Sequence, residues 1–485
     1  MSRQMSLSTA IRMGALALLV HGALVAQDAP LTHADSVLVG RVLAAEDRRD
    51  ASDAALATAI GHPDVRVRVI ANRALGRIRD PKFEARDSLP SVGSPPTWPE
   101  PAWRLRYRAL TPKSECSAVR PALADSAWPV RLRAAVIAGL RCQGDTAAVI
   151  TLRGWMDPLP ANVDRRSPGG VSWHAAAQAL PSLAHLDPAA ARAALPRFAT
   201  HRAWPLRRAA ARAAAVLADT ATLRALARDR DGNVQEAAVE ALAKLSGHGD
   251  DLTYLYVIKG RHPQAVRAAA VALKGSPRDD AATQARAAWR RWSAHAIDSE
   301  RDVRVALLEA AGDSADKDVP LNPRPPLPAE AVRLALGAEE RLRVTLDPAS
   351  GGGAFVVRLR GDVAPIMAAR ILALARSKYY DGLTWHRVEH DFVIQGGSRG
   401  DNEYVGDRVY LRDELGPLDH PRGTVGMSTR GHDTGDAQWF VNLRDNPRLK
   451  GDYTVFAEVV EGIDVVDGIM EGDRIARMER VTGQR

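Results

Sequence analysis

The chain has 485 residues, a length that predicts roughly two to four domains. Hydrophobic residues make up 46% and charged residues 26%, an ordinary globular composition that excludes a wholly disordered or collagen-like chain. The two cysteines, Cys116 and Cys142, are too few for a disulfide-rich scaffold or for a zinc site made of four thiolates. The net charge is +8, which raises the question of an anionic partner.

The positive charge is confined to the first part of the chain. Residues 331–485 carry 21 Lys and Arg against 24 Asp and Glu, so the excess of cations lies in residues 1–330. There the arginines are spread along Ala-rich helical segments rather than gathered in one run. This pattern indicates solvated helix faces and predicts no specific nucleic-acid partner, with a basic surface for an anionic partner as the alternative.

Residues 1–26 have the pattern of a secretory signal peptide. Arg3 and Arg12 precede the apolar stretch 14–26 (GALALLVHGALVA), and small residues permit cleavage after Ala26. The stretch is short for a bilayer span, and no later segment offers about 18 uninterrupted apolar residues. We therefore expect an exported protein, periplasmic or secreted, whose mature chain begins near Gln27 and has no transmembrane segment. An uncleaved membrane anchor is the alternative.

Export would make a disulfide between the two cysteines chemically possible. Cys116 and Cys142 stand 26 residues apart, and an oxidising compartment would permit one bridge across a helical hairpin. Two buried free thiols are the alternative.

A recurring phrase organises residues 27–317. A turn containing Asp, His or Pro is followed by Val-Arg or a near relative and then by an Ala-rich amphipathic run. Weaker copies near Trp103 and Trp173 would keep the period close to about 30 residues. Within a copy, apolar residues recur at helical spacing. The clear copies contain Val65, Val130, Leu206, Val234, Val266 and Val303.

A helix with one apolar face needs a neighbour, and stacked helical pairs supply it in an α-solenoid with a long curved surface. Residues 27–317 resemble HEAT repeats, especially the short kind of roughly 30 residues. The resemblance implies a scaffold or partner-binding role rather than chemistry. Most of the eight Trp residues in this region are expected in the core or between repeats, with a peptide-binding aromatic stripe as the alternative.

Residues 318–330 are predicted to be a Pro-rich linker. Five of the eleven residues from Asp318 to Pro328 are proline, which favours an extended, polyproline-like spacer and prevents the last helix from continuing.

Residues 331–485 are predicted to form a closed β-barrel with two helices. One helix begins at Asp362 with Pro365 in its first turn, and a shorter one lies near residues 463–469. Many short strands with two helices favour a closed barrel with helical plugs. The predicted strands span residues 341–346, 355–359, 384–388, 392–395, 424–428, 438–443, 454–460 and 474–481.

Short segments of this second domain, in order and spacing, resemble the cyclophilins, a family of peptidyl-prolyl cis-trans isomerases. The resemblance extends from about residue 340 to the C-terminus and implies an enzyme that needs no metal and no cofactor. The segments are YYDGLTWHRV (379–388), DFVIQGG (391–397), GMS (426–428), QWFV (438–441) and YTVF (453–456).

The same resemblance assigns the site. Arg387 matches the catalytic arginine, and Gln395 matches the glutamine that supports it. Arg448 stands where cyclosporin-sensitive members have tryptophan, so strong binding of that drug is not expected. Simple barrel core is the alternative for the phenylalanines among the implied substrate-binding residues, which are Phe392, Val393, Thr429, Gln438, Phe440, Leu449 and Tyr453.

Prolyl isomerisation needs few catalytic groups. Rotation about an X-Pro bond has a barrier of roughly 18–20 kcal/mol because resonance gives the C–N bond partial double-bond character. A fixed guanidinium can donate a hydrogen bond to the prolyl nitrogen as that atom becomes pyramidal, and a dry apolar pocket can hold the ring. Neither device requires a nucleophile or a proton transfer.

The sequence therefore predicts an exported prolyl isomerase whose helical repeats bind proline-containing unfolded or partner proteins. One alternative is a non-catalytic scaffold whose cyclophilin-like domain only binds proline-containing peptides. The intact set of Arg387, Gln395, Phe392 and Phe440 favours the enzyme. Another alternative is an anion-binding envelope protein that uses the basic helical region, and such binding would be sensitive to salt.

Overall fold

The computed structural model describes residues 31–80, 94–160, 173–295 and 297–481. The predicted signal peptide lies outside these residues. The chain is helical up to the Pro-rich segment and then forms a β-sheet with two further helices. Within the described ranges, no helix has the length and apolar character needed to cross a membrane.

Each clear copy of the recurring phrase lies at the start of a helix. The described part of the helical region contains α1 (His33–Arg48), α2 (Ala54–Ile60), α3 (Val65–Arg79), α4 (Ala102–Ala109), α5 (Cys116–Ala122), α6 (Trp128–Arg141), α7 (Thr146–Gly154), α8 (Trp173–Leu186), α9 (Pro188–Ala199), α10 (Trp204–Val216), α11 (Thr220–Leu226), α12 (Gly232–Ser246), α13 (Asp251–Val257), α14 (Pro263–Leu273), α15 (Ala281–Ser293) and α16 (Arg301–Ala310). The phrases begin α3, α6, α10, α12, α14 and α16.

The turn residues of the phrase explain these helix starts. The Asp64 carboxylate accepts a hydrogen bond from the Arg66 amide at the start of α3, and Asp231 caps α12 through the Asn233 amide. Proline occupies the first turn of α6, α10 and α14, where its missing amide proton costs nothing. Helices α6, α8, α10, α12, α14 and α16 then pack in succession, which confirms the predicted helical organisation. Its assignment to the HEAT type stays a prediction.

A disulfide joins Cys116, at the start of α5, to Cys142, directly after α6, with the two Cα atoms 5.3 Å apart. The bridge closes a loop of 26 residues, which restricts the unfolded chain. We expect the double variant Cys116→Ser/Cys142→Ser to lose about 3 kcal/mol of unfolding free energy. Denaturant unfolding with and without a reductant checks this: the reductant should bring the wild type to the stability of the variant and leave the variant unchanged. A wild-type midpoint insensitive to reductant would contradict it.

The sheet domain consists of eight antiparallel strands in the order β3-β4-β6-β5-β7-β2-β1-β8. Helix α17 (Ala329–Ala335) precedes it, α18 (Pro365–Arg376) follows β2, and α19 (Ile463–Asp467) precedes β8. Pro365 is in the first turn of α18, as predicted, but the helix begins at Pro365 rather than at Asp362. The strands are β1 (Arg341–Leu346), β2 (Ala354–Leu359), β3 (Arg387–Val388), β4 (Val393–Gly396), β5 (Thr424–Met427), β6 (Trp439–Asn442), β7 (Val455–Glu461) and β8 (Ile475–Arg480).

The predicted closed barrel is not confirmed, because the end strands β3 and β8 do not pair with each other as strands. The segments that precede these two strands are connected by an isolated bridge between Thr384 and Arg474 and by neighbouring backbone hydrogen bonds, such as the one from the Trp385 amide to the Asp473 carbonyl (2.9 Å). The strand predicted at 384–388 is reduced to the two residues of β3, Arg387 and Val388. These two residues pair with β4 and are too few to pair with β8 as well. The sheet is therefore curled rather than closed.

The apolar cores do not follow the boundary of the Pro-rich segment. Helices α1–α3 and α17 share one core with the sheet, in which Val42 and Ile70 belong to the same cluster as Leu334 and Met367. A second core extends along the remaining helices from residue 110 to residue 311. Helices α1–α3 and the sheet domain are thus packed around one common apolar core.

The Pro-rich segment contains no helix or strand between the short turn that ends at Lys317 and α17, but it is held in place. The Asp318 carboxylate accepts hydrogen bonds from Trp289 Nε1 (3.1 Å) and from Arg304 Nε (3.0 Å). Arg324 donates to the Asp47 carbonyl in α1 (2.9 Å). These contacts tie the segment to both ends of the helical region.

Candidate active site

All of the predicted site residues line one cavity of about 250 Å³ on the sheet domain. Three neighbouring strands bring the central ones together. Arg387 in β3 lies opposite Gln395 in β4, and Gln395 lies opposite Phe440 in β6. The antiparallel register therefore places a guanidinium, an amide and an aromatic ring side by side. The cavity is lined by Arg387, Phe392, Val393, Gln395, Thr429, Gln438, Phe440, Leu449 and Tyr453, together with Glu403, Ser428 and Arg430.

The Phe440 ring occupies space that a glycine leaves free. Gly426 in β5 pairs with Phe440 in β6, and a Cβ atom at Gly426 would lie only 2.4 Å from Phe440 Cζ. Any side chain at Gly426 would push the ring into the cavity. The glycine of the GMS segment thus shapes the pocket.

A hydrogen-bond chain orients the polar side of the cavity. The Gln395 amide nitrogen donates to Ser428 Oγ (2.8 Å) and to Gln438 Oε1 (3.2 Å), which turns Gln395 Oε1 toward Arg387 Nη1 at 3.5 Å. Gln438 in turn donates to the Glu403 carbonyl (3.0 Å). The Arg387 side chain is 40% exposed, so its guanidinium lies at the mouth of the cavity.

The opposite side of the cavity is apolar. Val393, Phe440 and Leu449 form a small buried cluster, against which Phe392 and Tyr453 pack while partly exposed. The Phe440 and Tyr453 rings are 5.6 Å apart and nearly perpendicular. Phe392 and Phe440 therefore line a pocket rather than merely filling the interior, and that pocket can hold a small apolar ring.

Arg448 lies over the outer face of Phe392, with its guanidinium carbon 4.2 Å from the ring centroid. This is a cation–π contact. Arg448, which stands where cyclosporin-sensitive cyclophilins have tryptophan, therefore places a cation at the edge of the apolar pocket.

Glu403, Ser428 and Arg430 also line the cavity and were not among the predicted site residues. The Glu403 carboxylate lies 3.5 Å from Arg387 Nη1. Arg430 pairs with Asp302 of α16, so a helix of the first region supports the wall of the site. These contacts join residues far apart in the chain, and no sequence signal could have found them.

His420 lies behind the apolar pocket, 1% exposed, with its ring stacked on Phe440. Its Nε2 is 3.1 Å from the Tyr453 carbonyl, to which the neutral ring donates. Burial lowers the pKa of His420 to about 4, so the ring is neutral at pH 7.

The buried His420 should make stability depend on pH. An unfolded histidine binds a proton near pH 6.5, whereas folded His420 does so only near pH 4, so its contribution is present above pH 6.5 and is lost as pH falls toward 4. On going from pH 7 to pH 5, we expect the wild type to lose up to about 2 kcal/mol more unfolding free energy than His420→Gln. Denaturant unfolding at both pH values measures this. Replacing His33, which is exposed at the start of α1, should leave the wild-type difference unchanged, and an equal loss in His420→Gln would contradict the prediction.

Comparison with known proteins agrees with this geometry. Residues 343–483 match the family model "Cyclophilin type peptidyl-prolyl cis-trans isomerase/CLD". "Peptidyl-prolyl cis-trans isomerase-like 1" of Rhizopus delemar is 35% identical over 148 residues, which are 29% of this chain and 87% of the relative. "Peptidyl-prolyl cis-trans isomerase B" of Bacillus subtilis is 34% identical over 134 residues, 27% of this chain and 93% of the relative.

A bacterial relative and a solved structure cover the same domain. "Peptidyl-prolyl cis-trans isomerase" of Helicobacter pylori is 37% identical over 116 residues, 23% of this chain and 71% of the relative. A crystal structure of a cyclophilin type peptidyl-prolyl cis-trans isomerase of Cryptosporidium parvum aligns with 22% identity and a TM-score of 0.28, over 30% of this chain and 100% of its own. Cyclophilin domains bind proline-containing peptides, and the extent of the curated relatives that this chain covers shows that it belongs to the cyclophilin-type peptidyl-prolyl cis-trans isomerases.

Proposed function

We propose that this isomerase is exported and acts on X-Pro bonds of exported or envelope proteins, and that its helical region binds the unfolded or partner proteins that carry those bonds. The observation that carries the proposal is a cleft of about 810 Å³ between the helices and the sheet domain. This cleft and the proline-sized cavity share Arg387 and Glu403 as lining residues. A polypeptide seated at Arg387 would therefore lie against the helical region.

In this proposal Arg387 is the catalytic residue. Its guanidinium donates a hydrogen bond to the prolyl nitrogen once twisting has removed the amide resonance, an interaction that is stronger in the twisted state than in either planar isomer. Gln395 positions Arg387 and the substrate carbonyl region through its fixed amide. Phe392, Val393, Phe440, Leu449 and Tyr453 hold the proline ring, while Thr429 and Gln438 border the neighbouring residue of the substrate.

Two features support export. The first 26 residues have the charge and apolar pattern of a signal peptide. The Cys116–Cys142 disulfide is of a kind that persists in oxidising compartments. The period of about 30 residues and the successive packing of α6 to α16 support HEAT-type repeats as the client-binding platform.

The full chain tests this proposal in two measurements. It should accelerate cis-to-trans relaxation of a short X-Pro peptide, and it should bind a permanently unfolded protein, prepared by reducing and alkylating its cysteines, in competition with that peptide. Isomerase activity without binding of the unfolded protein would remove the client-binding role. N-terminal sequencing of protein recovered outside the cytoplasm should give a start near Gln27, and recovery only from the cytoplasm with an intact leader would contradict export.

A further inference from the structure

The cleft beside the active site has two different walls. One wall is formed by helices α6, α8, α10 and α12, and the other by β3 and residues 401–404 of the sheet domain. At its far end the cleft shares Val136, Leu140 and Val388 with a further cavity of about 240 Å³. The proline cavity, the cleft and this third cavity therefore form one continuous path past Arg387.

The path has the dimensions and lining of a polypeptide site rather than of a small-molecule site. Val136 and Leu140 face it from α6 and Val216 faces it from α10, and these side chains are 41%, 49% and 37% exposed. Large apolar side chains left exposed along a groove indicate a surface that an apolar partner covers. An extended chain advances about 3.3 Å per residue, so several residues on one side of a bound proline would contact these helices.

Acidic side chains project from both walls next to the active site. Glu403 lies at the junction with the proline cavity, and Glu236 and Glu240 lie on α12. The Glu236 carboxylate is half-buried and makes no direct ion pair with the described residues, although the charges of Arg267 and Arg208 attract it. Burial, and secondarily the neighbouring Glu240, raises the pKa of Glu236 to about 7, so a cation placed beside it would favour its charged form.

Acidic side chains outnumber basic ones in the lining of the cleft, with six Asp or Glu against four Lys or Arg. Arg208 is paired with Glu471, whereas Arg212 donates to the neutral Gln178 side chain and keeps its charge. Arg387 lies between Glu403 and Glu389, at 3.5 Å and 4.0 Å. Lys244, at the outer end of the α12 wall, is exposed, and Arg267 outside the cleft stacks on Tyr404.

His386 provides an independent indication of a ligand. It precedes Arg387, lines the cleft and is 7% exposed, yet neither ring nitrogen has a hydrogen-bond partner. Burial lowers the pKa of His386 to about 4, which leaves a neutral ring with one donor and one acceptor. Buried polar groups are nearly always satisfied, so an unpartnered imidazole beside the cleft favours a polar ligand at this position.

We propose that the cleft binds the extended polypeptide that flanks the isomerised proline, and that it prefers segments in which Lys or Arg alternates with apolar residues. The inference rests on the proposed client-binding role of the helical region and names its surface and its substrate class. The carboxylates of Glu236 and Glu240 recognise the basic side chains, and Val136, Leu140 and Val216 contact the apolar ones.

The test compares three unstructured peptides that share one central Ala-Pro and carry Lys, Gln or Glu in the flanking positions. The wild-type full chain should isomerise the Lys peptide with a kcat/KM about tenfold higher than the Glu peptide, with the Gln peptide between them. In Glu236→Gln/Glu240→Gln this ratio should fall to about twofold. The matched control Glu309→Gln/Glu461→Gln removes the same charge from exposed positions outside the cleft and should keep the wild-type ratio.

Added salt should reduce the wild-type ratio, because the attraction between exposed charges is screened. A wild-type ratio near one, or a ratio unchanged in Glu236→Gln/Glu240→Gln, would overturn the inference. Both results would leave the client-binding role itself intact, because that role is decided by whether the chain binds the permanently unfolded protein.

Discussion

Replacing Arg387 by alanine should lower kcat/KM for an X-Pro peptide by about 10²- to 10³-fold, the loss expected when one preorganised transition-state donor is removed. The side chain is held by the Gln395 oxygen at 3.5 Å, so its donors are in place before the substrate twists. Relaxation of a cis-enriched peptide measures the effect. Arg387→Lys should recover little of it, because a single ammonium lacks the planar, rigid donors of the guanidinium.

Two checks make the Arg387 result specific. Arg399→Ala, which removes an exposed arginine stacked on Tyr379 outside the cavity, should keep the wild-type rate. Circular dichroism and the unfolding midpoint of Arg387→Ala should match those of the wild type, because its half-exposed side chain carries little of the fold. Acceleration that survives in Arg387→Ala would remove this residue from the mechanism. A wild type without acceleration for any residue before proline would favour the non-catalytic scaffold.

The site residues could be predicted because they stand in short segments that resemble those of the cyclophilins. Only part of the site is local: Arg387 and Gln395 are eight residues apart on adjacent strands, and their pairing follows from a short antiparallel connection. The bounds of β1 were predicted without error for a different reason, since alternation between buried and exposed residues extends over all of Arg341–Leu346. Short periodic patterns of this kind are visible in a single sequence.

The packing of the helical region against the sheet domain could not be predicted, because the recurring phrase has the same sequence pattern in helices that join different cores. The phrase at Val65 begins α3 just as the phrase at Val234 begins α12. Yet α3 joins the core of the sheet domain, while α12 joins the separate helical core. The contacts that hold α3 against the sheet domain, such as the hydrogen bond from Arg77 to the Leu415 carbonyl, depend on a tertiary arrangement that periodicity does not encode.

Arg77 of α3 is expected to be the main polar anchor between the two regions. Its side chain is 0% exposed, and its guanidinium donates to the carbonyls of Leu415 (2.6 Å), Val363 (2.9 Å) and Glu414 (3.0 Å). Its remaining donor bonds the Glu46 carboxylate at 2.8 Å. Arg77→Met should therefore lower the free energy of unfolding by about 3–5 kcal/mol, because it leaves a buried carboxylate and three carbonyls without this partner.

Urea unfolding followed by tryptophan fluorescence measures the loss, and Arg79→Ala is the matched control. Arg79 is two residues further along α3 and exposed, so its removal should change the unfolding free energy by less than about 0.5 kcal/mol. An Arg77→Met midpoint equal to that of Arg79→Ala would show that Arg77 does not anchor the two regions to each other.

A change at Glu46 can distinguish the contribution of the Arg77 ion pair to stability from that of its hydrogen bonds to carbonyls. Burial would raise the pKa of Glu46, but Arg77 and Arg73 lower it below its usual value, so the acid stays charged inside the protein. In Arg77→Met this charge keeps only Arg73, whose nearest nitrogen is 3.9 Å away. The double variant Arg77→Met/Glu46→Gln carries no such buried charge and should recover part of the lost stability. If it recovers none, the carbonyl contacts of Arg77, rather than its ion pair, hold the sheet domain against α3.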